Sequence, residues 1–209
     1  MRIQNAGIGF KYEDPGNMLP EPEVFTAEER QALLEEIKAL KAKIANLERT
    51  ADSDPLVPVK NRRAFIREIE RAQTIAARYQ IMSCMIFFDL NDFKKINDYY
   101  GHSVGDELLI RIGQCLRNSV RDSDVVARLG GDEFGVILFK TSEEIAQTKA
   151  VILARQISKQ KLVIQNREVF LTAAWGTSPC AADYSVQQIL ERADRAMYQN
   201  KFRIKNAAG

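Results

Sequence analysis

The chain has 209 residues, of which 45% are hydrophobic and 28% are charged, a composition that suits one globular domain with an appendage. Its formal net charge of +2 includes no long basic run, which disfavours nucleic-acid binding along a broad basic surface. No segment approaches the roughly 18 consecutive apolar residues of a transmembrane helix, and the N-terminus lacks an apolar signal core. We therefore expect a cytoplasmic protein without a membrane span.

The first 53 residues form two segments of different character. Residues 1–25 carry glycine and proline among mixed charges and show no periodicity, so we expect a flexible leader. Residues 26–53 are predicted to be helical, because Thr26 and Glu29 have the spacing of a capping box. Apolar residues then recur at alternating spacings of four and three, as in a coiled coil: Leu33, Ile37, Leu40, Ile44, Leu47 and Ala51.

The charges beside this heptad seam favour a parallel homodimer through residues 26–51. Exposed ion pairs are each worth less than about 1 kcal/mol, so they select the register rather than supply the stability. The alternative is an amphipathic helix that packs against its own domain. Two pairs face each other across the predicted seam, and both attract: Glu36 with Lys41, and Lys43 with Glu48.

Residues 54–209 alternate between helical and extended patterns and form the predicted main domain, which follows a stiff linker with Pro55 and Pro58. Helices are predicted after the cap candidates Asn61 and Ser185, over residues 93–98 and 142–157, and from Gly105. Strands are predicted over residues 84–88, 125–129, 134–139, 163–165 and 169–175, the last two around an Asn166-Arg167 turn. Three residues of the helix after Ser142 are expected to face inward: Ile145, Ile152 and Ile157. This alternation predicts an α/β sandwich, with helices around a mostly antiparallel sheet.

A tight hairpin is predicted between the strands 125–129 and 134–139. Gly130 and Gly131 lie between them, and two-residue hairpin turns prefer such a pair because both residues can adopt positive φ. The second strand is apolar on both faces, which predicts burial on both sides. Asp132 and Glu133 follow the turn, so the hairpin presents two carboxylates at its tip. A plain acidic surface turn is the alternative.

A third carboxylate ends the preceding strand. Residues 84–88 form an apolar run that leads to Asp89, where an unpaired carboxylate is costly to bury. If Asp89 lies beside the hairpin, the carboxylates repel each other, by roughly 4 kcal/mol for two charges about 4 Å apart at a dielectric of about 20. Such a cluster is stable only when it is protonated or neutralised, and an all-oxygen site suits Mg²⁺ or Mn²⁺. Together with the nearby Lys94, the pattern indicates a nucleotide-phosphate site.

The sequence around this site resembles the GGDEF family, the diguanylate cyclases. Residues 130–134 read Gly-Gly-Asp-Glu-Phe, the motif that names the family. The resemblance covers residues 54–206 and implies a fold similar to a nucleotidyl-cyclase or polymerase palm domain. Further motifs match in order and spacing: Asn61-Arg62-Arg63, Asp89 with Phe93-Lys94, Ile96-Asn97-Asp98, Gly101-His102, Gly105-Asp106, and Ala193-Asp194 with Tyr198 and Lys201.

The resemblance implies a reaction in which two GTP molecules condense into cyclic di-GMP with loss of two pyrophosphates. Each domain of the family holds one GTP, so two domains must face each other, which gives the predicted dimer helix its purpose. The resemblance also implies two divalent ions, Mg²⁺ or Mn²⁺, in each active site. Their implied ligands are Asp89, the Leu90 carbonyl, Asp132 and Glu133. The implied catalytic residues are Asp132, Glu133 and Lys94, and Glu133 is either a ligand of the second ion or the base.

The resemblance further implies a set of substrate-binding residues: Asp92, Phe93, Lys94, Asn97, Asp106, Lys201 and Lys205. Asn97 and Asp106 match positions that hydrogen-bond guanine, and a carboxylate suits guanine because adenine lacks the corresponding pair of donors. Lys94 and Lys201 match phosphate-binding lysines. Lys205 replaces an arginine of the family and keeps its charge without its planar fork. The alternative for each of these residues, taken singly, is a solvated helix surface.

Arg121 and Asp124 match the inhibitory Arg-x-x-Asp site of the family, at its usual distance before the hairpin. An arginine in this position can bind phosphate or the guanine edge through two hydrogen bonds. We therefore expect cyclic di-GMP to act as an inhibitor as well as the product.

Three departures from the family pattern favour a different function. Residues 57–59 read Val-Pro-Val and lack the threonine and glycine of the family's entry motif, Ala174 replaces a serine, and Ile204-Lys205 replaces glycine and arginine. They favour a catalytically inactive GGDEF module that binds GTP or cyclic di-GMP as a receptor. The retained carboxylates favour the enzyme, because a receptor has no need of a metal cluster. Phosphoryl transfer with another nucleotide is disfavoured by Asp106.

Overall fold

The computed structural model describes residues 26–164 and 166–207, apart from the side chains of residues 42, 44–50 and 203–207. The leader predicted over residues 1–25 and the side chain of Lys205 therefore lie outside the described residues. The chain divides into two units, Met1–Ala45 and Asn46–Gly209. None of the helices in the described part combines the length and the apolar composition that a membrane crossing requires.

Helices and strands alternate along the second unit. The helices of the described chain are α1 (Ala27–Asp52), α2 (Arg62–Tyr79), α3 (Phe93–Tyr100), α4 (His102–Asn118), α5 (Glu143–Ser158) and α6 (Val186–Ala207). The strands are β1 (Lys60–Asn61), β2 (Cys84–Leu90), β3 (Val125–Gly130), β4 (Glu133–Leu138), β5 (Lys161–Ile164), β6 (Arg167–Phe170) and β7 (Ala173–Pro179).

Five of these strands form one mixed sheet in the order β1-β3-β4-β2-β7, and β5 and β6 form a separate hairpin. Strand β1 is parallel to β3, and the other neighbours in the sheet are antiparallel. The central strands β2 and β4 are buried along almost their whole length, as their continuous apolar sequences predict. The expected sandwich of helices around a mostly antiparallel sheet is confirmed.

Strand β2 is packed on both faces, and this fixes the position of Asp89 near its end. Successive side chains of a strand point to opposite faces of the sheet. Ile86 and Phe88 accordingly pack in the core layer that α4 and α5 cover. Met85 and Phe87 pack in the layer that α2 and α6 cover. A strand with this much buried surface holds its end rigidly.

Side-chain caps begin several helices where the sequence predicts them. At α1, Thr26 N donates to Glu29 Oε2 at 2.9 Å and Glu29 N donates to Thr26 Oγ1 at 3.2 Å, which is a reciprocal capping box. Two further predicted caps are confirmed: Asn61 accepts from Ala64 N, and Ser185 accepts from Gln188 N. Ser142, at the predicted start of α5, also caps its helix, since it accepts from Ile145 N.

The unusual linker sequence is part of the core. Val57 and Val59 are buried in the same layer as α4. Gly113 of α4 makes room for this packing, because a Cβ there would lie 2.1 Å from Val57 Cγ1. The valines that depart from the family pattern are therefore accommodated by the fold.

The predicted inward face of α5 is wrong. Ile145 and Ile152 are 62% and 45% exposed, although Ile157 is buried as predicted. Two alanines, with Leu153, complete the buried face. Their small side chains let the helix lie close to the sheet, so helix position rather than side-chain size decides which residues are buried.

Two predicted boundaries also differ from the structure. Helix α4 begins at His102 rather than Gly105, because Gly101, with φ of 85°, is by itself sufficient to separate it from α3. The predicted strand 169–175 is two strands, since the chain leaves the β5–β6 hairpin after Phe170 and enters the main sheet at Ala173. Arg167 belongs to β6 and not to the turn before it.

Candidate active site

The end of β2 and the tip of the β3–β4 hairpin bring Asp89, Asp132 and Glu133 to one edge of the sheet. Asp89 and Glu133 are register partners across β2 and β4. Leu90 N donates to Asp132 O at 3.1 Å and ties the turn to the neighbouring strand. Directly opposed residues of an antiparallel pair project from the same face, so the carboxylates of Asp89 and Glu133 share one side of the sheet. The three acidic residues that the sequence predicts to converge are neighbours in the structure.

The hairpin turn differs from its prediction. Gly130 pairs with Glu133, so the two-residue loop consists of Gly131 and Asp132, and the register shifts between Arg128 and Gly130. Neither glycine adopts a left-handed φ, so the predicted reason for the Gly-Gly pair is wrong. Gly130 supplies space instead, because a Cβ there would lie 2.9 Å from Glu133 Oε2.

Arg128 fixes the hairpin tip, a role that was not predicted from the sequence. Its Nε and Nη2 donate to Gly131 O at 3.0 and 2.8 Å, and its Nη1 donates to Asp54 Oδ1 at 3.3 Å. The ion pair is largely buried, with side chains 16% and 12% exposed. Asp54 also accepts from the backbone N–H groups of the linker at Leu56 and Val57. A lone arginine in an otherwise apolar strand is the signal that could have identified this anchor.

Glu133 lies in an environment that disfavours its charge. Burial raises its pKa above the ordinary value; the Arg62 guanidinium opposes this effect, and the charges of Asp132, Asp89 and Asp194 raise the pKa further. A cavity of about 210 Å³ beside Glu133 is also lined by Arg62 and Asp194. Both residues belong to motifs found in the sequence, but no role was predicted for either of them. The carboxylates at this edge therefore repel each other, as the sequence predicts, and a cation would relieve the repulsion.

Asp89 already has a positively charged partner in the structure. Lys201 Nζ, from α6, donates to Asp89 Oδ1, and the two side chains are 27% and 19% exposed. Within the described residues, no three His, Cys, Asp or Glu side chains are close enough together to hold a metal ion. The acidic residues therefore lie at one edge of the sheet without forming a closed metal-binding group, and Asp89 is paired with a lysine.

The close contact between α6 and β7 positions Lys201. Gly176 of β7 lies directly against the helix backbone, since a Cβ there would be 2.1 Å from Ala193 O and 2.2 Å from Met197 N. Trp175 N donates to Asn200 Oδ1 at 3.3 Å, one residue before Lys201. Because β7 pairs with β2, these contacts bring the helix to the strand end that carries Asp89.

Helix α3 and the start of α4 form the second side of the site. Asp92 has a left-handed φ of 58° and immediately precedes α3, which begins at Phe93. Lys94 and Asp106 are exposed to solvent. The backbone before α3 is fixed by Asn91, whose N–H donates to Thr172 O at 2.8 Å. The exposed side chains of Lys94 and Asp106 are thus accessible to a ligand.

Asn97 has an unusually close neighbour. A Cβ at Gly105 would lie 1.9 Å from Asn97 Oδ1, so the glycine is required for the observed position of the amide. Among the described residues, this buried oxygen has no hydrogen-bond partner. Buried polar atoms in folded proteins are normally paired, which makes Asn97 a candidate for contact with a ligand.

Arg121 and Asp124 lie apart from this edge, at the turn before β3. Asp124 is 8% exposed, and its carboxylate accepts from Arg121 N and from Phe139 N, both at 3.1 Å. The Arg121 side chain is exposed and lines a cavity of about 250 Å³ with Asp124 and Lys149. Asp124 therefore has a structural role in this turn, whereas the Arg121 side chain is available to a ligand.

A comparison with known proteins identifies the family. The family model described as diguanylate cyclase, GGDEF domain, matches residues 51–207. This chain belongs to the GGDEF-domain family.

Relatives of this GGDEF domain include larger proteins. It is 36% identical over 154 residues to the bifunctional diguanylate cyclase/cyclic di-GMP phosphodiesterase MucR of Pseudomonas aeruginosa, a match that covers 73% of the chain and 22% of MucR. It is 30% identical over 153 residues to the diguanylate cyclase DgcS of Shewanella oneidensis, covering 73% of the chain and 50% of DgcS. The chain thus spans half or less of the length of these relatives.

A solved structure shares the fold. The coiled coil and GGDEF domain of DgcB from Caulobacter crescentus, determined in complex with c-di-GMP, superposes with a TM-score of 0.73 at 26% sequence identity. The superposition covers 83% of this chain and 93% of that one.

Proposed function

We propose that this GGDEF domain is a diguanylate cyclase, which condenses two GTP into cyclic di-GMP and two pyrophosphates. The observation that carries the proposal is the convergence of Asp89, Asp132 and Glu133 at one sheet edge. Relatives that are named as diguanylate cyclases support the reaction.

The carboxylates suit divalent cations of the kind that diguanylate cyclases use. Asp89, the Leu90 carbonyl, Asp132 and Glu133 would hold two Mg²⁺ or Mn²⁺ ions, because hard cations prefer such oxygen donors. The mutual repulsion that raises the Glu133 pKa supports the fit. Bound there, the ions would stabilise the charge on the attacking and leaving oxygens of an in-line displacement. Glu133 would act either as a ligand of the second ion or as the base that accepts the proton of the ribose 3′-hydroxyl.

The nucleotide would lie between this edge and helices α3 and α4. Asp106 and Asn97 would hydrogen-bond the guanine edge, and the unpaired Asn97 Oδ1 would accept from a guanine N–H group. Lys94 and Lys201 would bind the phosphates, with Asp92 and Phe93 at the start of α3 and Lys205 at the end of α6. An acceptor at Asp106 predicts GTP rather than ATP as the substrate.

A homodimer through residues 26–51 would bring two active sites together. Leu33, Ile37 and Leu40 of the predicted seam are 39–51% exposed. Exposed apolar residues in a heptad pattern are stabilised when a second helix covers them. The coiled coil named in the DgcB structure supports this arrangement.

Product feedback is proposed at Arg121 and Asp124. The exposed Arg121 guanidinium and the cavity beside it suit the phosphates and guanine of cyclic di-GMP. Comparison of inhibition by added cyclic di-GMP in wild type and Arg121→Ala tests this site. Equal inhibition of both proteins would contradict it, and Arg121 is the cleaner probe because Asp124 holds the turn.

A receptor that binds GTP or cyclic di-GMP without turnover is the alternative. Its support comes from the departures at residues 57–59, Ala174 and Lys205. Val57, Val59 and Ala174 are, however, buried in the core, so they belong to the packing of the domain and do not line the proposed nucleotide site directly.

One assay separates the two functions. Purified protein is incubated with GTP or ATP and Mg²⁺, and pyrophosphate and cyclic di-GMP are quantified for wild type and Asp132→Ala. The enzyme predicts two pyrophosphates for each cyclic di-GMP from GTP, no product from ATP, and at least a hundredfold loss in the variant. Binding of GTP without any product from wild type would favour the receptor.

A further inference from the structure

Lys201 and Asp89 form an ion pair that the fold holds in place. The lysine is on α6 and the aspartate is at the end of β2, 112 residues earlier in the chain. The tight packing of Gly176 against α6, and the hydrogen bond from Trp175 to Asn200, fix the helix segment that carries the lysine. The contact therefore follows from packing and is not a chance encounter of two surface chains.

The same Asp89 carboxylate is a proposed ligand of the divalent cations. An ammonium group in contact with that oxygen neutralises its charge and repels a second cation. The described residues contain no group of three acidic or other metal-binding side chains arranged around a common point. Both observations indicate that the ligand-free site is not assembled for a metal ion.

We propose that Lys201 takes the place of the cation in the nucleotide-free enzyme, so that metal and GTP bind as linked ligands. This inference rests on the proposed function. The lysine side chain is flexible and carries a compact charge, so it can leave Asp89 for the triphosphate when GTP arrives. Its departure frees the carboxylate for the metal. Because linkage is reciprocal, GTP raises the metal affinity and the metal raises the GTP affinity by the same factor.

The test is a titration of nucleotide-free protein with Mn²⁺, with free Mn²⁺ measured by electron paramagnetic resonance. Lys201→Met removes the charge and should raise the Mn²⁺ affinity at least tenfold, which is about 1.4 kcal/mol. Lys201→Arg keeps a cation beside Asp89 and should resemble wild type. Lys161→Met is the matched control, because it breaks a different lysine ion pair, with Glu168 at 2.6 Å, and changes the net charge equally.

Two further measurements make the test specific. The increase in Mn²⁺ affinity expected for Lys201→Met should disappear in the double variant Lys201→Met, Asp89→Asn. A GTP analogue with a methylene bridge between its α- and β-phosphates should raise the Mn²⁺ affinity of wild type by a larger factor than that of Lys201→Met. Circular dichroism checks the fold, and Lys201→Gln replaces the methionine variant if that variant is unfolded.

The inference is overturned if removal of the Lys201 charge leaves the Mn²⁺ affinity unchanged, or if the gain persists without the Asp89 carboxylate. If either of these results is obtained while wild type still makes cyclic di-GMP, only the linkage between metal and GTP is refuted. Absence of product from wild type would instead refute the proposed function.

Discussion

Replacement of Gly176 by alanine should force α6 away from the sheet. The added Cβ would lie 2.1 Å from Ala193 O and 2.2 Å from Met197 N, whereas ordinary contacts begin at 3.4 Å. The helix must therefore withdraw by about 1.3 Å, and no rotamer change can relieve the clash because both atoms belong to the backbone. Overpacking typically costs about 1–3 kcal/mol, and we expect about 3 kcal/mol here. For a domain of this size, that lowers Tm by roughly 6–12 °C.

Urea unfolding followed by fluorescence measures this effect directly. Trp175 is the single tryptophan of the chain and precedes Gly176 in β7, so its emission reports on the strand in question. Gly131→Ala is the matched control, because its Cβ would meet nothing within 4 Å and its φ is not left-handed. We expect this control to change the unfolding free energy by less than about 0.5 kcal/mol. Equal midpoints for the two variants would refute the packing argument.

Other variants test the hairpin, its electrostatics and the dimer. Because the pKa of Glu133 is raised in the folded protein, its charged form destabilises the fold at high pH, and this destabilisation is lost as the pH falls toward 4.5. Glu133→Gln should therefore raise Tm at pH 8 and change it little at pH 4. A rise in Tm that is independent of pH would contradict the raised pKa. Arg128→Ala should cost about 2 kcal/mol in urea unfolding, because it frees the hairpin tip from a buried ion pair. Lys95→Ala, which removes an exposed ion pair with Asp92, should cost less than about 1 kcal/mol, and similar losses in the two variants would refute the anchor. Ile37→Glu places a charge in the predicted coiled-coil seam, so it should shift sedimentation toward the monomer and reduce cyclic di-GMP synthesis. Ala39→Glu, outside the seam, should leave both unchanged. A dimer that persists in Ile37→Glu would exclude the predicted seam.

Local patterns were sufficient to predict much of the fold. The capping residues Thr26, Asn61 and Ser185 are short-range signals, since each side chain bonds a backbone group three residues away. The continuous apolar runs that became β2 and β4 are also local signals, because only strands buried on both faces need them. Such features depend on residues that are close in the sequence, and they can therefore be predicted from it.

Features that depend on tertiary packing were not predictable in the same way. The ion pair of Arg128 with Asp54 joins residues 74 positions apart, and its existence depends on where the linker crosses the hairpin. The buried face of α5 is set by the distance of the helix from the sheet, so Ile145 points outward despite its size. Among the candidate site residues, the family motifs located Asp89 and Lys201, but only the fold shows that the two form a pair.

A crystal structure with Mn²⁺ and the methylene-bridged GTP analogue tests the central claim most directly. Anomalous scattering locates Mn²⁺ independently of any assumption about its ligands. We predict anomalous peaks beside the carboxylates of Asp89 and Asp132, with Lys201 on the phosphates and guanine at Asn97 and Asp106. Ordered analogue with no Mn²⁺ at Asp89 or Asp132, or analogue bound elsewhere on the domain, would contradict the account.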